Sequence, residues 1–150
     1  MTHKITPFLW FDGNAEEAIE HYLSVFKNGK TLSVTRQGRR VFSATFELEG
    51  QRFMALNGGP KYKFTEAISL FVDCETQQEV DELWDKLCAA GGSGQCGWLK
   101  DKFGLSWQII PRGLTELLVD PDPEKAKRVM QAMLQMTKID IQVLRKAHAG

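Results

Sequence analysis

The sequence predicts an α+β fold built from two βαβββ modules, with helices appended at the C-terminal end. Three observations predict it. A strand–cap–helix–glycine unit occurs twice, each copy is followed only by short β segments, and the last third of the chain shows helical periodicity. In the first copy, Ile5–Phe11 reads as a strand and leads into Asp12-Gly13-Asn14. Asn14 is placed to cap a helix, with Glu17 three residues on to complete a capping box. Ala15, Ala18, Ile19, Tyr22, Leu23 and Phe26 make its apolar stripe, and Asn28-Gly29 ends it. In the second copy, Ala67–Asp73 reads as a strand and Thr76 caps the helix, again with a glutamate (Glu79) three residues on. Val80, Leu83, Trp84, Leu87 and Cys88 form the stripe, and Gly91-Gly92 ends it.

The β segments that follow are read from period-two alternation. In the first half, Thr31–Arg36 precedes a turn around Gln37–Arg40. Next, in Val41–Glu49, Phe42, Ala44, Phe46 and Leu48 alternate with Ser43, Thr45 and Glu47. A turn at Gly50 leads to Gln51–Asn57. In the second half, Gly91–Gly94 leaves room for one short strand before a hairpin over Cys96–Pro111, which turns at Asp101–Gly104. Its second strand puts Leu105, Trp107 and Ile109 on one face and Ser106, Gln108 and Ile110 on the other. The tail is helical. Asp122 caps with Pro123 at the first helical position, Ala126, Val129, Met130, Met133 and Leu134 form a stripe, and Asp140 caps a last short helix. A methionine stripe at that spacing reads as core or subunit interface.

Composition narrows the function class. The 150 residues suit a single domain, with module one over about 1–62, module two over about 63–113 and the helical tail over about 114–150. The 19 basic residues balance the 19 acidic ones, which argues against a nucleic-acid or membrane-surface partner. No apolar run approaches the roughly 20 residues of a membrane helix. Met1–Lys4 passes at once into a strand-like segment, so no secretory signal is expected. Cys74, Cys88 and Cys96 are odd in number and lack CxxC spacing, which reads as reduced thiols in a cytoplasmic protein.

Several blocks resemble one family. They are Leu9-Trp10-Phe11-Asp12-Gly13-Asn14-Ala15-Glu16-Glu17-Ala18, Ala55-Leu56-Asn57-Gly58-Gly59-Pro60, Gly94–Asp101, Phe103–Pro111 and, in the tail, Asp120–Ala126 through Lys138–Ile141. Together they resemble the PhnB-like branch of the glyoxalase/bleomycin-resistance (vicinal oxygen chelate) superfamily, a group often labelled 3-demethylubiquinone-9 3-methyltransferase. The resemblance implies paired modules curled into an open, barrel-like cleft, and a homodimer. In the metal enzymes of that superfamily four strands each supply one ligand. By resemblance those positions are Thr6, Phe53 or Ala55, Ala67 and Gln108. A divalent catalytic site needs about three ligands drawn from carboxylate, imidazole and thiolate. One hydroxyl and one amide do not supply them, so neither a metal nor another cofactor is expected.

With the resemblance, strand parity places Thr6, Phe8 and Trp10, then Phe53, Ala55 and Asn57, then Ala67, Ser69, Phe71 and Asp73, then Ser106, Gln108 and Ile110 in the cleft. Phe8, Trp10, Asn57, Phe71, Trp98 and Gln108 are the candidate ligand-binding residues, a mostly aromatic wall with sparse polar groups. Phe8, Trp10 and Phe71 have core packing as their alternative reading, and Asn57 reads equally as a cap of its own turn. No catalytic residue is assigned. His3, His21 and His148 read as surface histidines, and Cys96 shows no partner base. Three functions compete: a metal-free protein that binds a small apolar or aromatic molecule between its modules, an enzyme, or an interaction protein working through the methionine-striped helix. For the enzyme, methyl transfer from S-adenosylmethionine wants a glycine-rich turn that opens a helix. Gly58-Gly59 follow a strand instead, and Gly91–Gly94 follow a helix. A cofactor-independent isomerase or lyase with Asp73 as base is the other form of that reading.

Overall fold

The structure, a computed structural model, describes residues 4–150, so His3 lies outside the described residues. The chain divides into two compact units between Phe64 and Thr65.

The first unit runs β1 (Phe8–Phe11), α1 (Ala15–Val25), β2 (Gly29–Gln37), β3 (Arg40–Leu48) and β4 (Gln51–Asn57). Its sheet has the order β1-β4-β3-β2, with β1 and β4 parallel and the other pairs antiparallel. β1 is shorter than the expected Ile5–Phe11. Ile5 is 88% exposed, and Pro7 has no N–H to give the ladder, although its carbonyl accepts from the Met54 N–H at 2.9 Å. Helix α1 buries Ala15, Ala18, Ile19, Tyr22 and Val25. It packs on β2, β3 and β4. The sheet's covered face carries Leu9, Phe11, Ala44, Phe46, Leu48, Phe53 and Ala55, and the Phe46 and Phe53 rings stack at 5.4 Å.

Two local expectations are corrected here. The β2–β3 register shifts between Thr35 and Arg36, where Thr35 pairs with Ser43 but Arg36 pairs with Val41, so Phe42 is an extra residue in β3. That bulge reverses the alternation, burying Val41 and leaving Phe42 45% exposed rather than inside. Asn14 sits at the α1 N-cap, but its side chain makes no capping bond. The Ala15 N–H donates instead to Asn57 Oδ1 at 2.9 Å, and Asn57 Nδ2 donates to the Val41 carbonyl at 2.9 Å. Asn57 therefore ties the end of β4 to the start of α1 and to the bulge, rather than capping its own turn.

The second unit runs β5 (Leu70–Cys74), α2 (Gln77–Cys88), β6 (Gly92–Ser93), β7 (Trp98–Lys100), β8 (Ser106–Pro111), α3 (Leu114–Leu118), α4 (Pro123–Met133) and α5 (Ile141–Ala149). Its sheet order β5-β8-β7-β6, with β5 and β8 parallel, repeats the order of the first sheet strand for strand. Both sheets are open, and the architecture is the α+β arrangement of two βαβββ modules. β5 begins at Leu70 rather than Ala67, because residues 66–68 turn and the Ala67 N–H donates to Thr65 Oγ1. Thr76 caps α2 as read, its side chain accepting from the Glu79 N–H at 3.1 Å. Val80, Leu83, Trp84 and Leu87 are buried, as are Leu99, Trp107 and Ile109 on the strands.

The β7–β8 turn is held from inside by one carboxylate. Asp101, 3% exposed, accepts from the Phe103 and Leu105 N–H groups at 2.9 and 3.0 Å through Oδ1 and from the Trp107 indole at 2.9 Å through Oδ2. The tail helices start at Asp122 and Asp140, whose side chains accept from the first helical N–H groups. They gather Leu114, Val129, Ile139, Ile141 and Leu144 around Ile110 of β8. Met133 packs against that cluster, whereas Met130 and Leu134 of the same stripe are 41% and 51% exposed. Polar bonds fix the docking. Gln77 of α2 donates to the Ile139 carbonyl at 2.8 Å and accepts from the Ile141 N–H at 2.9 Å. The Cys96 and Gly97 N–H groups donate to the Met136 and Thr137 carbonyls. Gly97 has φ +85°, and a Cβ there would stand 2.8 Å from Ile110 Cδ1 and 3.0 Å from Ile139 Cγ1, so no larger residue fits this junction.

Candidate functional site

In the second sheet, register sets one row across three strands. Gln108 of β8 pairs with Phe71 of β5 on one side and Trp98 of β7 on the other. Paired residues share a face, so aromatic, amide and aromatic stand side by side at the ordinary strand spacing. The opposite face, with Trp107, Ile109 and Leu99, is buried together with the apolar stripe of α2. Phe71 is 56% exposed, and Gln108 and Trp98 are half-buried. Gln108 Nε2 donates to Ser69 Oγ at 3.0 Å, which fixes the amide. Among the described residues, its Oε1 accepts no hydrogen bond and the Trp98 indole donates none. Ser106, on the same face, is 1% exposed, and its hydroxyl has no partner among the described residues.

Asp73 also shares this face, but it accepts from Arg112 at 3.0 Å, and Glu75 lies 3.7 Å from the same guanidinium. That ion pair occupies the Asp73 carboxylate. Lys100 pairs with Glu66.

In the first sheet, Phe8 and Trp10 face away from α1 and pair with Met54 and Leu56. Phe8 is half exposed. Trp10 is engaged locally: its indole donates to the Gly59 carbonyl at 2.9 Å, and Tyr62 meets it edge-on at 4.9 Å. A Cβ on Gly58 would fall 2.3 Å from the Trp10 ring, so this turn needs glycine to receive the indole. Asn57, by contrast, shares the helix-side face with Phe53 and Ala55. Those three residues do not stand with Phe8 and Trp10.

The positions that would carry a metal do not fit one. Thr6 precedes β1, Ala67 lies in a turn, and Gln108 supplies an amide. On the open face of β4 stand Arg52, Met54 and Leu56, rather than Phe53 or Ala55. None of these is a carboxylate, imidazole or thiolate. Among the described residues, no three His, Cys, Asp or Glu side chains are grouped to hold a metal ion.

Burial pushes the Cys74 thiol up to about 12, with Glu79 and Asp73 adding to the shift. Burial, with Asp85 nearby, also raises Cys88. Cys96 Sγ lies 3.6 Å from the Met133 carbonyl at the tail junction. His148 meets Asp120 at 2.8 Å, and His21 lies 5.9 Å from the Tyr22 ring.

The family model described as 3-demethylubiquinone-9 3-methyltransferase matches residues 3–110. The chain belongs to that PhnB-like family. It is 38% identical to a PhnB protein from Bacillus cereus, covering 73% of this chain and 99% of that one with a TM-score of 0.69. A Pseudomonas aeruginosa protein of 18% identity matches over 73% and 98% of the two chains with a TM-score of 0.60. A Frankia glyoxalase/bleomycin-resistance/dioxygenase domain of 15% identity covers 75% and 96% with a TM-score of 0.51. The Frankia match shows the shared glyoxalase/bleomycin-resistance fold. No curated protein matches. The family match stops before α3, so the tail that the sequence resemblance included lies outside it. Among the described residues, no helix is long and apolar enough to cross a membrane.

Proposed function

We propose that this PhnB-like protein binds a small apolar or aromatic molecule without a metal and without bond chemistry, the open row Phe71–Gln108–Trp98 serving as its recognition surface. One observation carries the reading: an amide fixed by Ser69 keeps an unused acceptor between two half-open aromatic rings. Aromatic faces supply affinity by removing apolar area from water, and a fixed polar atom sets orientation. A ligand with a flat body and one donor matches that pattern. Phe8 and Trp10 offer further aromatic surface on the first sheet.

The family description names a methyl transfer. The residues here favour binding, because the Gly58-Gly59 pair is occupied by Trp10 and Gly91 closes against Lys100, where a Cβ would fall 2.1 Å from the carbonyl. A thermal-shift screen of aromatic and quinone-like compounds, run with and without Zn²⁺, Mn²⁺ or S-adenosylmethionine, tests the reading. A ligand at a hundredfold excess over its dissociation constant stabilises by about 2.7 kcal/mol. Gln108→Leu is expected to weaken that ligand by about tenfold, the worth of one oriented hydrogen bond. Stabilisation by the methyl donor, or stabilisation that requires the metal, would overturn the proposal.

A further inference from the structure

The first unit holds a second candidate binding site, built around the β3 bulge. A cavity of about 460 Å³ opens there, lined by Gly13, Glu16, Arg39, Arg40, Phe42 and Asn57 among others. Each wall has a local cause. The bulge turns Phe42 outward, and the Val41 carbonyl is taken by Asn57 Nδ2. Asn57 Oδ1 in turn receives the Ala15 N–H, which brings the first turn of α1 to the floor. The β2–β3 turn then sets Arg39 and Arg40 at the rim.

Charge decides what could enter. The Glu16 carboxylate is answered by Arg36 at 3.2 Å. Arg39 and Arg40 have no side-chain partner among the described residues, which leaves the rim with two uncompensated guanidinium groups. A guanidinium presents a planar fork of donors that matches an oxyanion. Phe42 supplies the apolar contact in the same cavity.

The geometry points to a binding site for a small organic oxyanion, an aryl phosphate or carboxylate, whose charged group meets Arg39 and Arg40 and whose ring lies against Phe42. Phenyl phosphate is the probe, titrated into the full chain while backbone amide resonances are followed, with inorganic phosphate and benzyl alcohol as comparisons. Phenyl phosphate is expected to move the resonances of Gly13 and residues 37–42 and to bind more tightly than either comparison. The double substitution Arg39→Gln/Arg40→Gln should weaken it by about tenfold or more. Both positions are exposed and unpaired, so the melting temperature should hold. Arg39→Lys/Arg40→Lys, which keeps the charge and loses the fork, should fall between the two. Glu16→Gln, which removes the one carboxylate in the cavity, should tighten binding. Equal affinity for the wild type and the double Gln variant would overturn the site. So would shifts confined to other parts of the chain, or inorganic phosphate binding as well as the aryl ester.

Discussion

Asp101 and Ser106 lie within a few residues of each other on the same hairpin, both buried, and they make opposite predictions. Asp101 is surrounded by donors that bond to it, two from the backbone and one from the Trp107 indole. Asp101→Ala leaves those groups unanswered in a dry site, where each costs about 1–3 kcal/mol. The expected loss is about 4 kcal/mol, read as a lower urea midpoint at unchanged slope. Ser106 contributes a hydroxyl with no partner among the described residues. Ser106→Ala removes a buried polar atom that gains nothing, so it is expected to raise stability by about 1 kcal/mol. A loss of stability in that variant would show the hydroxyl to be bonded in solution.

At the scale of elements, one titrating pair, Lys138–Asp81, ties the tail to α2, and another, His148–Asp120, joins two parts of the tail itself. Lys138 beside Asp81, helped by the Gln77 amide, holds that carboxyl below its ordinary range. His148 does the same for Asp120, aided by the Asp122 N–H. A carboxyl depressed in the folded state contributes stability above its unfolded pKa and loses it as pH falls through the folded one. These two contacts should therefore weaken as pH falls below the ordinary aspartate range, a small effect for exposed pairs. Amide exchange in α4 and α5 followed during acid titration checks this, and Asp81→Asn/Asp120→Asn should remove the pH dependence. The same scale shows what the sequence discloses. Thr76, Asp122 and Asp140 cap their own helices, so bonding partners two or three residues away make them readable. The α1 cap is hidden because its acceptor, Asn57, comes from the far end of another strand. The parity of β3 is hidden too, since one inserted residue at Phe42 reverses every assignment before it while leaving the alternation intact after it.

At the scale of the whole chain, the duplication is the feature most fully written in the sequence, because each copy repeats its own strand, cap, helix and glycine stop. Both sheets consequently share one strand order. The Phe71–Gln108–Trp98 row follows from the same regularity: period two along β8 and in-register neighbours leave little freedom. The arginine-rimmed cavity does not follow from it, since it depends on the bulge and on a long-range amide. The tail belongs to neither copy. The family match ends at residue 110, before the tail helices begin. Here, however, Ile110 is 7% exposed within the tail cluster, and Gly97 and Gln77 are bonded to tail carbonyls. Ending the chain after Arg112 would expose that apolar end of β8 and take away the two tail partners of the Gln77 amide, leaving it only Asp81. Burying a side chain of that size is worth about 2 kcal/mol, which Ile110 forfeits when the tail residues packed on it are gone. The truncated chain is expected to lose dispersed amide resonances from β7 and β8 while those of the first sheet persist. A spectrum in which both sheets stay fully dispersed would show that the second unit stands without these helices.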